Sequence, residues 1–184
     1  MPPRLIHLNG APGVGKSTLA RRYAVEHPGV LLLDVDVLRG FLPGLTFADA
    51  GAQIRPLALA MLTAHLAGGQ DVVLPQFLGL QWEVERFAAA AQAGGGSMVE
   101  VLLEGDPAEV AERFERRGDD DSDPDPWHDE VRTMVGDAGG AEHLDAMMQR
   151  LREVTGARTS YRRVRSVEGE VDVTYAALLE VLAG

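Results

Sequence analysis

The stretch that decides the fold reads Gly10-Ala11-Pro12-Gly13-Val14-Gly15-Lys16-Ser17, and Thr18 follows it. It fits the pattern G-x-x-x-x-G-K-[ST] at every fixed position. Residues 4–8 before it form a short, mostly apolar run that is typical of a buried strand, and residues 16–26 after it carry apolar side chains at helical spacing. Because strand, glycine-rich loop and helix in this order are the context that the pattern requires, we interpret residues 10–17 as a phosphate-binding loop, the P-loop.

Each part of this loop has a chemical use for a nucleoside triphosphate and its Mg²⁺. The glycines let backbone N–H groups turn inward around the phosphates. Lys16 adds a mobile charge for the β- and γ-phosphates, and the Ser17 hydroxyl suits Mg²⁺. The helix that begins near Gly15 directs the positive end of its dipole at the same anion. We therefore expect ATP to contact the whole stretch, namely Gly10, Ala11, Pro12, Gly13, Val14, Gly15, Lys16, Ser17 and Thr18.

Length, composition and net charge limit the possible domain count, partners and location of this protein. The 184 residues, of which 46% are hydrophobic and 24% charged, predict a single domain, 1–184. A formal net charge of −11 makes nucleic acid an unlikely partner, since the surface repels phosphate. There is no cysteine, and the histidines show no metal-ligand spacing, so we expect no fixed transition metal. No apolar stretch approaches the roughly 20 residues of a membrane span, so we expect no membrane contact and a cytoplasmic location.

Strand-like and helix-like segments alternate along the chain. Apolar runs predict strands at 4–8, 30–33, 71–74, 97–103 and 162–167. Helical patterns cover 16–26, 50–67, 81–93, 107–117, 128–155 in two pieces, and 174–183. This order predicts an α/β, three-layer P-loop NTPase fold, with a five-stranded, mostly parallel sheet and helices on both faces. Ligands of such folds bind beyond the carboxyl ends of the strands, so Asp34-Val35-Asp36 and Pro75-Gln76 should meet the P-loop in one cleft.

The helix at 50–67 has a clear apolar stripe, and its members predict the face that packs on the sheet. They are Ile54, Leu57, Ala58, Met61, Leu62 and Leu66. His65 falls on the same stripe, which indicates a core histidine with a satisfied hydrogen bond rather than a ligand.

Asp34 and Asp36 are candidates for the chemistry. Phosphoryl transfer to an alcohol needs a base near the acceptor hydroxyl and oxygen ligands for Mg²⁺. Two acids one residue apart at a strand end can divide those tasks, provided that the backbone turns between them. Arg39, three residues later, would hold an anionic or hydroxylated acceptor. In the alternative interpretation one of the acids only caps the following turn.

The same residues carry a resemblance to small P-loop kinases, including those of the AAA and zeta-like type. The run 36–39 resembles the D-x-x-R element of adenylyl sulfate kinase and of the kinase half of polynucleotide kinase. The run 34–36 resembles the D-x-D of shikimate kinase. The resemblance implies that Asp36 is the acceptor-side base, that Arg39 contacts the acceptor, and that a mobile lid covers the site at about 118–128.

Residues 109–117 resemble the arginine-bearing helix that leads into the lid of adenylate kinase and its relatives. The resemblance implies that Arg113 packs over adenine and that Arg117 reaches the transferring phosphate, which makes Arg117 catalytic beside Lys16 and Asp36. Arginine suits both tasks because its planar fork stacks on rings and binds phosphate with two donors. In the alternative interpretation the two arginines lie on a solvated helix face.

The sequence departs from the family at the end of the third predicted strand. Pro75-Gln76 stands where many P-loop enzymes have a Walker-B aspartate. Mg²⁺ would then depend on Ser17, water and Asp34. Gln76 either orients a substrate through its amide or merely completes the strand, and the sequence leaves both open.

Two classes of function remain. The first is an ATP-dependent phosphotransferase that moves the γ-phosphate to a hydroxyl of a small molecule, either a metabolite or an antibiotic, with the chain as a monomer or homodimer. The second is a nucleotide-dependent switch or accessory ATPase without such an acceptor. The first is favoured by two pairs of residues, Asp36 with Arg39 and Arg113 with Arg117. Residues 7–10, 34–36 and 77–79 resemble chloramphenicol phosphotransferase, and residues 73–75 resemble a tunicamycin-resistance protein. The sequence does not identify the acceptor.

The implied role of Arg117 gives a kinetic prediction. Arg117→Ala should lower kcat far more than it raises KM for ATP, because a charge that acts as the phosphoryl group leaves stabilises the transition state alone. Steady-state kinetics at varied ATP measures both constants. A loss confined to KM would instead assign Arg117 to ground-state binding.

Overall fold

The protein is described by a computed structural model that covers residues 2–115, 133, 136 and 140–184. Five strands form its sheet: β1 (Arg4–Asn9), β2 (Leu31–Leu32), β3 (Val72–Leu74), β4 (Ser97–Glu104) and β5 (Arg162–Arg165). They lie in the order β2-β3-β1-β4-β5, and every neighbouring pair is parallel. The predicted parallel five-stranded sheet is confirmed.

Helices cover both faces of this sheet. They are α1 (Lys16–Glu26), α2 (Val35–Leu38), α3 (Phe47–Ala67), α4 (Gln81–Ala93), α5 (Pro107–Glu115), α6 (Ala141–Gly156) and α7 (Val171–Ala183), with a 3-10 turn at Arg39–Phe41 after α2. One core lies between the sheet and α3, α4 and α6, and the other between the sheet and α1, α5 and α7. The three-layer architecture is therefore confirmed, while the predicted lid at about 118–128 lies outside the described residues.

At two of the boundaries that differ from the prediction, a side chain caps the start of a helix. The segment 35–38 was not predicted as a helix, yet the Asp34 carboxylate accepts a hydrogen bond from the Asp36 N–H and starts α2. Helix α3 begins at Phe47 rather than near residue 50, because the Thr46 hydroxyl accepts from the Asp49 N–H at 3.2 Å. Both caps lie in stretches that the apolar pattern treats as loop.

The buried face of α3 is narrower than the predicted stripe. Its buried residues recur every four positions, and they are Ala50, Ile54, Ala58, Leu62 and Leu66. Leu57 is 50% exposed and Met61 40%, so their assignment to the core was wrong. A helix that packs on one layer buries a single ridge of its surface, and the residues beside that ridge reach water. His65 is half-buried rather than in the core, and its Nε2 pairs with the Gly29 carbonyl oxygen at 2.9 Å.

The central strand β1 is buried on both faces. Leu5 belongs to one core, while Ile6 and Leu8 belong to the other. Two polar side chains, His7 and Asn9, share the Leu5 face because alternate residues of a strand point the same way, and neither has exposed surface. Polar groups this deep need hydrogen-bond partners, and Asn9 finds all of its partners at the edge of the sheet. His7 is bonded there through Nε2, while its Nδ1 is buried without a partner in the described part of the chain. Among the described helices, none is both long and apolar enough to cross a membrane.

The ridge of α3 gives a matched stability prediction. Leu62→Ala should lower the free energy of unfolding by about 2–5 kcal/mol, because it leaves a cavity in a fully buried site. Met61→Ala, one residue away and 40% exposed, should cost under about 1 kcal/mol. Urea unfolding of both variants checks this. Equal losses would show that α3 packs on a different face.

His7 gives a pH prediction. Burial lowers the pKa of His7 from 6.5 to about 4, although its bond to the Gln76 carbonyl and the neighbouring Glu100 carboxylate oppose that shift, and the charges of Lys16 and Arg158 favour it. The unfolded chain therefore binds a proton between pH 6.5 and 4 that the folded chain does not, so stability falls as the pH falls through this window. Urea unfolding at pH 7.5 and at pH 5 should show a loss of roughly 2 kcal/mol from this group.

The control for this pH effect is His7→Gln, which retains a donor for the Gln76 carbonyl but does not titrate. Its loss of stability over the same interval should be smaller by about that amount. An equal loss in both proteins would mean that other groups account for the pH dependence.

Candidate active site

The P-loop lies against the backbone of neighbouring elements. Gly10 and Gly13 have φ angles of 149° and 84°, in the region that favours glycine. A Cβ at Gly10 would lie 2.7 Å from the Leu103 carbonyl oxygen of β4, and one at Gly13 would lie 2.8 Å from the Val110 carbonyl oxygen of α5. The two glycines are therefore required by close backbone approach, and the loop is pressed onto β4 and α5.

Lys16, the only lysine in the sequence, folds over this loop. Its Nζ donates to the carbonyl oxygens of Gly10 at 2.9 Å and of Ala11 at 2.8 Å. The loop and the N-terminus of α1 thus present backbone N–H groups and one ammonium to the same volume. This arrangement fits the phosphates of a nucleotide.

Ser17 and Asp34, the predicted metal pair, lie together. The Ser17 Oγ donates to Asp34 Oδ2 at 3.3 Å, while Asp34 Oδ1 accepts from the Asp36 N–H at 3.1 Å. One carboxylate oxygen caps α2 and the other points to α1. A hydroxyl and a carboxylate oxygen beside a phosphate loop are the hard ligands that Mg²⁺ takes, so these residues fit the ion. Within the described residues, no group of three or more His, Asp or Glu side chains converges on a metal site.

Asp36 lies apart from that pair and is held by Arg39. The Arg39 Nε donates to Asp36 Oδ1 at 3.1 Å, with 7% of the arginine and 33% of the aspartate side chain exposed. The guanidinium packs on α3, since a Cβ at Gly51 would lie 2.8 Å from Arg39 Nη1. Arg39 thus fixes one oxygen of Asp36 while part of that carboxylate stays open to solvent. Its contact with an acceptor remains a prediction.

Gln76 lies in the loop that follows β3. Its carbonyl oxygen pairs with His7 Nε2 at 2.9 Å, and its side-chain Oε1 is buried without a hydrogen-bond partner in the described part of the chain. A buried acceptor without a partner carries a desolvation cost that a donor would relieve. The position of Gln76 at a strand end is as predicted, and its contact with a substrate remains a prediction.

Arg113 lines a cavity beside the P-loop. The cavity has a volume of about 320 Å³, and its walls include Gly13, Gly15, Thr18, Arg113 and the segment 166–169. The Nε and Nη2 atoms of Arg113 are buried without hydrogen-bond partners in the described structure. The predicted base-stacking arginine therefore lies beside the P-loop, at a space that suits a nucleobase. Arg117 lies outside the described residues.

One buried polar residue at this edge was not among the predicted site residues. Asn9, the last residue of β1, makes four hydrogen bonds to three separate segments of the chain. The sequence does contain a signal for it: residues 7 and 9 are polar while residues 5, 6 and 8 of the strand are apolar, and both polar residues lie on one face. Such alternation in a central parallel strand indicates buried groups with specific partners.

Comparison with protein families supports this architecture. Residues 5–154 match the family model of the AAA domain, which spans the P-loop, both aspartates and Gln76. Comparison with curated proteins finds no match.

Three solved structures share the fold over almost the whole chain. A gluconokinase from Sinorhizobium meliloti 1021 is 19% identical, with a TM-score of 0.60, and the match covers 99% of this chain and 93% of that one. The tunicamycin resistance protein of Deinococcus radiodurans is 20% identical, with a TM-score of 0.60 and coverage of 98% and 96%. A presumed kinase from Chloroflexus aurantiacus J-10-fl is 15% identical, with a TM-score of 0.66 and coverage of 99% and 97%.

At these identities the structural likeness shows the fold alone, while the family match extends over most of the sequence. The chain therefore belongs to the AAA domain family and has the three-layer fold of the small P-loop kinases.

Proposed function

We propose that this chain is an ATP- and Mg²⁺-dependent phosphotransferase that moves the γ-phosphate to a hydroxyl of a small molecule. The observation that carries the proposal is the separation of the two carboxylates after β2. Asp34 points one oxygen to Ser17 beside the P-loop, while Asp36 points elsewhere and is held by Arg39. A metal ligand and an acceptor-side base are the two carboxylate tasks of phosphoryl transfer to an alcohol.

The nucleotide side is supported by three groups. Ser17 and Asp34 would hold Mg²⁺, which when bound neutralises charge on the phosphates. The Lys16 ammonium, which donates to the carbonyls of Gly10 and Ala11, would move onto the phosphates. Arg113 would stack on the base in the cavity of about 320 Å³ that it lines.

The acceptor side depends on Asp36. Arg39 fixes Oδ1, and Asp36 Oδ2 has no partner among the described residues, so that oxygen is available to take the proton of an acceptor hydroxyl. The buried Gln76 Oε1 would accept a hydrogen bond from a hydroxyl or N–H group of the acceptor. Two groups that accept hydrogen bonds favour a hydroxyl-rich acceptor, either a metabolite or an antibiotic.

Product analysis with MgATP tests the proposal. The panel should include sugar acids such as gluconate, together with tunicamycin and chloramphenicol, since the structural neighbours include a gluconokinase and a tunicamycin resistance protein. Phosphorus NMR should show equal amounts of ADP and phosphorylated acceptor with at least one compound. ADP and inorganic phosphate alone, whatever compound is present, would support the alternative of a switch or accessory ATPase.

Asp36→Asn should lower acceptor phosphorylation by about 10²–10⁴-fold, because the amide keeps the shape and loses the basicity. The affinity for ATP should hardly change, since Lys16 and the loop N–H groups carry it. Initial rates with the acceptor found above, together with calorimetric titration of ATP, measure the two effects.

Asp34→Asn is the matched control, two residues away. If Asp34 orders the Mg²⁺ shell, raised Mg²⁺ should partly restore the activity of this variant and should leave Asp36→Asn unchanged. The opposite pattern, with Asp36→Asn active and Asp34→Asn inactive at any Mg²⁺ concentration, would exchange the two roles.

A further inference from the structure

The crevice between β1 and β3 is the topological switch point of this sheet. The connection from β1 leads through α1 to β2, beyond β3, whereas the connection from β3 leads through α4 to β4, on the other side of β1. Two connections that leave in opposite directions open a crevice at the carboxyl ends of the strands, where ligands of α/β sheets bind. The P-loop forms one wall of it and the loop 75–80 forms the other.

The backbone pairing of β1 and β3 ends below this crevice. Beyond that point, hydrogen bonds from side chains of β1 connect the strand to the loop after β3. The last paired residues are His7 of β1 and Leu74 of β3. Beyond them, His7 Nε2 bonds the Gln76 carbonyl, and Asn9 bonds Leu78. Because side-chain hydrogen bonds replace backbone hydrogen bonds here, the loop 75–80 lies about one side-chain length from β1 and remains bonded to it.

Asn9 uses its whole hydrogen-bonding capacity here. Its Nδ2 donates to the Leu78 carbonyl oxygen and the Tyr161 hydroxyl, both at 3.0 Å. Its Oδ1 accepts from the N–H of Gly10 at 2.9 Å and from that of Leu78 at 3.1 Å. The side chain has no exposed surface. Two N–H groups at one end and a carbonyl at the other leave a single satisfactory orientation of the amide.

We propose that Asn9 is a positioning residue that couples nucleotide binding at the P-loop to the position of the loop 75–80. It would thereby keep the γ-phosphate and the acceptor aligned for transfer. The part about the acceptor rests on the function proposed above, since it takes Gln76 of this loop as an acceptor contact. The physical link is the shared oxygen. The N–H of Gly10, the first P-loop residue, and the N–H of Leu78 bond the same Oδ1, so a shift of one changes the geometry of the other.

Nucleotide binding has a direct route to this oxygen. The backbone of Gly10 is held at its carbonyl by Lys16 and at its N–H by Asn9. Phosphates that draw the Lys16 ammonium toward them change the bond to the carbonyl, and the bond to the N–H couples Gly10 to Leu78 through Asn9 Oδ1. Bonding both the N–H and the carbonyl of Leu78 while also reaching Gly10 needs an acceptor and a donor on two separate atoms, which the Asn9 amide supplies.

Hydrogen exchange tests the inference without an acceptor. The probe is Mg²⁺ with β,γ-imido-ATP, which the protein cannot cleave at the γ-phosphate. Exchange is followed in peptides covering 10–18 and 75–80, with and without the probe. In the native sequence both segments should slow, and the slowing at 75–80 should be roughly fivefold or more, the lower end of ordinary coupling between sites.

Asn9→Ser should keep the slowing at 10–18 and lose it at 75–80, since serine cannot reach both segments. The matched control is Tyr161→Phe, which leaves one Asn9 N–H unsatisfied and destabilises the same cluster but spares the clasp on Gly10 and Leu78. This control should retain the slowing in both segments. If the role of Asn9 were purely structural, Asn9→Ser would raise the exchange rate at 75–80 by the same factor with and without the probe. The ratio of these two rates would then be the same as in the native sequence.

Each other result overturns a specific statement. If exchange in the native sequence slows at 10–18 but not at 75–80, the coupling is contradicted and the proposed function is unaffected. This outcome is measured on the native sequence alone, so it does not depend on the folding of any variant. Absence of slowing at 10–18 contradicts the nucleotide site and hence both proposals. Slowing at 75–80 that persists in Asn9→Ser shows that another group transmits the effect, and loss of it in Tyr161→Phe assigns the effect to the stability of the cluster.

Discussion

The burial of β1 on both faces is the constraint on which the rest of the site depends. A strand in this position carries polar side chains at low cost only where partners exist. The His7 Nε2 and the Asn9 amide find partners in the loop after β3 and at the start of the P-loop, although His7 Nδ1 has none among the described residues. The same strand places Gly10 against β4, where a Cβ would not fit. Core packing and site geometry are therefore fixed by one element, and a change in either would alter the other.

The start of α2 decides the electrostatics of the site. In a strand, Asp34 and Asp36 would share a face, since alternate residues point the same way. Because Asp34 instead caps a helix, the backbone turns between them, and the two carboxylates face different neighbours. This small helix turns a pair of like charges into two separate groups, one with the Ser17 hydroxyl and one with the Arg39 guanidinium.

The sheet was predictable from the sequence because buried parallel strands read as short apolar runs between helical patterns, and this signal is local. The point at which the second strand ends was harder to predict. Its pairing stops at Leu32, two residues before the Asp34 cap. The core face of α3 was also misjudged, since Leu57 and Met61 fit a helical stripe as well as their buried neighbours do. Which ridge faces the sheet depends on how the helix is rotated, and only its partners in the core decide that.

The sequence by itself determined the ligand class of the P-loop, since glycines, a lysine and a serine at fixed spacing are defined by local backbone geometry. It also placed Asp34, Asp36 and Gln76 at strand ends. Only the tertiary structure decided what each one faces: Ser17 for Asp34, Arg39 for Asp36, and His7 for the Gln76 carbonyl. The sequence shows that position 9 of β1 is polar, but the partners of Asn9 belong to the tertiary level. Its partner Tyr161 is 152 positions away in the sequence and Leu78 is 69, and no local pattern encodes contacts at that separation.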